Sequence, residues 1–193
     1  MRRRLAAVGV VAVLLLSGCT QRYDTPDDRS NVFGAEVDES IHDLEVQPSN
    51  VRVTGSFDGI RMEAYLDQMS FAETREFIEA ALPVIQDSPL GAMPVRIVLG
   101  HKAARSDSGT LEWNGYDPER AERYFAAVQL WLDVLDDPGV EVDEKFDVRA
   151  AYVFATVVVF DDRDLDAYRA ELVGALEQAG YVDPSITVKA ATT

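Results

Sequence analysis

The chain has 193 residues, 47% of them hydrophobic, and carries 18 Lys and Arg against 34 Asp and Glu for a formal net charge of −16. This composition is that of one ordinary globular domain and excludes a disordered chain. The charge argues against nucleic acid as a partner, because counterion release needs Lys and Arg against phosphate and no basic run follows Arg2, Arg3 and Arg4; the single cysteine excludes an internal disulfide.

Taken in chain order, three arginines precede an apolar run from Leu5 to Leu16, and Ser17 and Gly18 stand just before Cys19. A basic start, a short apolar stretch and small residues make a tripartite export signal. The run is about a dozen residues where a spanning helix needs about 20, so a cleaved leader is the better reading than a permanent transmembrane anchor. Leu16-Ser17-Gly18-Cys19 resembles the lipobox of bacterial lipoproteins, and the Arg, Ala, Val and Asp bias resembles lipoproteins of high-GC Gram-positive bacteria. The resemblance covers the leader and its junction only. It implies cleavage before Cys19, diacylglyceryl transfer to its sulfur, and a domain held at the outer face of the cell membrane by its lipid. Two acyl chains hold a membrane stably where one holds it marginally. Without the leader, 15 cations face 34 carboxylates, and anionic headgroups are disfavoured as a second contact.

Residues 1–18 are thus read as a signal peptide, 19–50 as the lipidated cysteine and a mostly irregular spacer with a short helical turn over Ser40–Leu44, and 51–193 as a single domain. Val51–Phe57 and Ile60–Leu66 alternate around Asp58-Gly59, a hairpin signature. Ser70 and Glu73 form a capping-box pattern, followed by Phe77, Ile78, Ala81, Leu82 and Ile85 at helical spacing. Val95–Leu99 and Thr110–Trp113 read as strands joined by a polar loop. Asp117-Pro118 opens a second helix whose buried face holds Ala121, Tyr124, Phe125, Val128, Trp131, Leu132 and Leu135, and Asp137-Pro138-Gly139 stops it. Val140–Val142 is a short strand. Val148–Phe160 reads as one long strand apolar on both faces, implying cover on both sides or a partner. A third helix over Arg163–Ala179 ends at Gly180, and Ile186–Ala190 is the last strand. The order ββαββαββαβ predicts an α+β fold with three helices on a largely antiparallel sheet, built from βαβ units in a ferredoxin-like order.

No catalytic residues and no cofactor are assigned. His42 and His101 have no second histidine at i+3 or i+4, and neither a Gly-x-Ser-x-Gly elbow nor a Gly-rich phosphate loop is present. Asp162, Asp164 and Asp166 imitate a calcium loop, but Ala167 stands where it needs Gly and Val173 where it needs Glu; helix capping is the stronger reading. The most polar-aromatic cluster is His101, Arg105, Trp113 and Tyr116, which would line a small-molecule or glycan pocket or, more ordinarily, seal a strand–helix junction. The expectation is a membrane-tethered, extracytoplasmic, non-enzymatic domain binding an envelope protein or small ligand. The alternatives are an envelope hydrolase using carboxylate pairs among Glu112, Asp117 and Asp147, or a cation-binding lipoprotein.

Overall fold

The computed structural model describes residues 26–192 except 47, 49, 57–58, 67–68, 89–90, 102–108, 116 and 144. Cys19 and the leader lie outside the described residues.

Among the described residues four α-helices and eight strands follow in the order α1 (Pro26–His42), β1 (Asn50–Ser56), β2 (Gly59–Tyr65), α2 (Phe71–Asp87), β3 (Val95–Gly100), β4 (Leu111–Asn114), α3 (Ala121–Asp136), β5 (Val140–Val142), β6 (Phe146–Arg149), β7 (Val153–Val159), α4 (Leu165–Gln178) and β8 (Ser185–Ala190). The α+β class stands, with three corrections. A fourth helix, α1, occupies the stretch read as irregular. Its Val37 and Ile41, one turn apart, are buried, and its Asp38 Oδ1 accepts from the Val53 amide at 2.5 Å. Gly34 lies so close to β1 that a Cβ there would stand 2.7 Å from the Gly55 nitrogen. The helix therefore lies against β1, an edge strand, and one of its side chains takes up a main-chain donor there.

The second correction concerns the sheet, which is mixed. Its path runs β1-β2-β3-β4-β6-β7, with β5 and β8 also paired to β7. Residues 157–159 of β7 pair with both β5 and β8, so those two lie on opposite sides; β5 and β6 share the other side as one strand whose register slips by two residues. The pairs β2/β3, β4/β6 and β7/β8 are parallel and the others antiparallel. Each parallel pair is joined by one helix and has no strand between its members, whereas a ferredoxin-like split βαβ unit inserts one. The third correction is that the run 148–160 is a hairpin, turning at Ala150-Ala151, with Arg149 N donating to Tyr152 O at 2.8 Å.

All helices cover one face. The buried strand residues share one parity, from Val51, Met62, Ile97 and Trp113 to Val148, Val153 and Ile186, and Arg75 of α2 pairs with Glu122 of α3. The chain steps across the sheet in one direction while strand polarity reverses between β3 and β4 and again between β6 and β7. With every helix on the same side, the α3 crossover must have the opposite hand to those of α2 and α4.

Local signals account for the helix ends. Ser70 and Glu73 complete the capping box: Glu73 N donates to Ser70 Oγ at 3.3 Å and Ser70 N to Glu73 Oε2 at 2.8 Å. Asp164 caps α4 by accepting from the Asp166 and Ala167 amides at 3.0 and 3.1 Å. Gly180, at φ +91°, ends α4 in a Schellman turn, with Gly180 N donating to Glu177 O and Tyr181 N to Leu176 O.

Candidate functional site on the open sheet face

The face opposite the helices has no covering layer among the described residues. Alternation and register place its side chains in rows across the strands. One row runs Arg61, Arg96, Asn114, Arg149, Tyr152, and the next Glu63, Val98, Glu112, Asp147, Phe154, one position each from β2, β3, β4, β6 and β7. A cationic row therefore lies beside an anionic one, about 7 Å apart as set by two residues of strand rise.

The rows neutralise each other locally. Arg61 Nε donates to Glu63 Oε1 at 2.6 Å, Arg149 Nη2 to Asp147 Oδ2 at 3.0 Å, and Arg96 contacts Glu112. Glu112 and Asp147, directly opposite in the parallel β4/β6 register, are 5% and 6% exposed and are the buried charged residues among those described. Lys145 Nζ sits between them, 2.7 Å from Glu112 Oε2 and 3.9 Å from Asp147 Oδ2, while Asn114 Nδ2 donates to Asp147 Oδ1 at 3.2 Å. Two buried carboxylates side by side repel unless paired, and the cations around them provide that pairing. The hydrogen bond to Asp147 in turn raises the Arg149 guanidinium above its ordinary value.

Aromatic residues flank the charged centre. Tyr65 on β2, Phe154 on β7, and Tyr152 and Phe160 just before and after β7 are 42–49% exposed. Arg149 lies over the Phe154 ring at 5.4 Å. Counting Arg52, Lys145 and Lys189 with the three row arginines, the face carries six cations; Glu141 and Asp143 bring its carboxylates to five. It is close to neutral in a chain of −16.

The four residues read as a polar-aromatic pocket do not all fall among the described residues. Arg105 and Tyr116 lie outside them. Trp113 points to the helix side, 3% exposed and stacked on Tyr124 at 3.5 Å between ring centres. His101 also lies on the helix side, edge-on to Trp131 at 6.3 Å, and Trp131 Nε1 donates to Gly109 O at 3.2 Å. The two placed members are thus parts of the packing between β3, β4 and α3. Of the three candidate carboxylates, Glu112 and Asp147 come together and Asp117 does not; it accepts from the Glu119 amide at 3.1 Å in the turn before α3. Asp162, Asp164 and Asp166 sit at the start of α4, where Arg163 reaches Asp137 and Asp161 and Asp164 serves as the cap. Among the described residues, no three His, Cys, Asp or Glu groups are placed to hold a metal ion, and no helix is long and apolar enough to cross a membrane.

Arg61 and Glu63 were legible as polar positions of an alternating strand, but the rows across the sheet depend on pairing between strands distant in sequence. No protein-family model matches the chain, and no curated protein matches it in sequence.

Proposed function

We propose that the chain is a lipid-tethered, extracytoplasmic binding domain, held through Cys19 at the outer face of the cell membrane, that engages another envelope component through its open sheet face. The observation that supports this best is that face itself. It combines solvent-exposed Tyr152, Phe154 and Phe160 with a fixed pattern of charge, and aromatic residues beside arginine are what interface centres are enriched in. Because its charges are balanced, a partner does not meet the repulsion that the rest of this acidic surface presents.

A carboxylate-pair hydrolase has one observation in its favour, the adjacency of Glu112 and Asp147. Their oxygens are engaged by Lys145, Arg96, Arg149 and Asn114, the arrangement of an ion-pair network. Binding is therefore the better supported reading.

Substituting Cys19→Ala tests the tether. The protein is expected to leave the membrane fraction and to keep the mass of an unlipidated chain; membrane retention with unaltered mass would contradict the anchor.

A further inference from the structure

We propose that the open face pairs with the same face of a second copy of this chain. This rests on the reading of that face as a binding surface and names its occupant. The two adjacent rows are complementary to each other under a two-fold operation. Rotation by 180° about an axis lying in the face, parallel to the rows and midway between them, turns the first row of one copy over the second row of the other while keeping each strand position opposite itself. Arg61 then faces Glu63, Arg149 faces Asp147, Asn114 faces Glu112, and Tyr152 faces Phe154. The remaining pair sets the aliphatic stem of Arg96 against Val98. The accessible matches are the charge pair at the β2 position and the aromatic pair at the β7 position, and each occurs twice by symmetry.

Glu63, with a side chain 33% exposed, and the exposed Tyr152 and Phe154 carry the contact, whereas the buried Glu112 and Asp147 stay engaged by Lys145, Arg96, Arg149 and Asn114 within their own chain. Strand lines stay aligned under this rotation, the geometry in which two sheets pack face to face. Five strand positions at about 4.8 Å give rows roughly 20 Å long, a contact small enough that the pairing is weak and reversible. Tethering both copies to one membrane raises their effective concentration.

The test uses full-length chains carrying two different tags, co-expressed and recovered from detergent-solubilised membranes through one tag. Wild-type chains are expected to bring down the second tag. Arg61→Glu puts two carboxylates at the β2 position and Glu63→Arg puts two cations there, so each variant paired with itself should lose recovery at least fivefold. Co-expressing the two should restore it, because opposite charges then face each other again, and restoration also shows that both variants fold. Absence of wild-type recovery, or a mixed pair no better than the like pairs, overturns the proposal. Where either variant proves protease-sensitive, Phe154→Ser at an exposed position replaces it: loss of recovery supports the pairing and undiminished recovery overturns it. If these substitutions abolish capture of a different envelope protein while no self-recovery occurs, the binding function stands and the second-copy proposal falls.

Discussion

At the scale of single residues, two positions separate packing from polarity. Tyr124 stacks on Trp113 in the core, and its hydroxyl is buried with no hydrogen-bond partner among the described residues; burial drives its ionisation well above the ordinary tyrosine range. A buried hydroxyl without a partner costs its desolvation, so Tyr124→Phe is expected to stabilise the fold by about 1 kcal/mol in urea denaturation, and a clear loss would reveal a partner. Arg163 ties the turn after α3 to the turn before α4. Its guanidinium donates to Asp137 at 2.6 and 3.0 Å and its Nε to Asp161 at 2.7 Å, which holds both carboxyls below their ordinary values. A depressed carboxylate contributes stability above its unfolded value, near pH 4, and loses it as pH falls through the folded one. Arg163→Ala should therefore melt below wild type at pH 7, with the gap closing as the pH drops under about 4; a gap constant with pH would contradict the linkage.

At the scale of elements, α2 and α3 were legible and α1 was not, for a physical reason. The capping box and the run from Phe77 to Ile85 state α2 locally, and Tyr124, Phe125, Val128, Trp131 and Leu132 state α3. In α1, Val37 and Ile41 are buried among the described side chains, and the acidic stretch around them shows little sustained apolar periodicity; helicity there draws on docking against β1. Asp38→Ala is expected to cost about 1–3 kcal/mol and to speed hydrogen exchange at the Val53 amide more than at β3 amides, because it leaves a main-chain donor at the β1 edge without its acceptor. Uniform exchange across the sheet would count against α1 as an edge cover. The β6–β7 turn escaped reading because Ala150-Ala151 carries none of the Gly, Pro or Asn punctuation that marks turns, so two strands ran together as one. The reading of that run as apolar on both faces survives in β7, where Val153, Val157 and Val159 enter the core and Phe154 and Val158 lie on the other side.

For the whole molecule, the sequence conveyed the α+β class and the β1–β2 hairpin but not the order in which the later strands pair. Glu112 and Asp147 are 35 positions apart, and only the α3 crossover, with its opposite hand, brings them into register. A reversal of hand between parallel crossovers of one sheet departs from the usual rule of a single hand and is invisible to periodicity. The consequence is a two-layer molecule with helices on one side and a charged, aromatic sheet face on the other. That asymmetry carries the functional reading, and it is tested by placing a photo-crosslinking amino acid in the full-length protein at Phe154 on the open face and, separately, at Glu79 on α2, then irradiating intact cells. The account predicts a discrete crosslinked product from position 154 and none from position 79. Products of equal yield from both positions, or from position 79 alone, would contradict the claim that the open sheet face is where this protein binds.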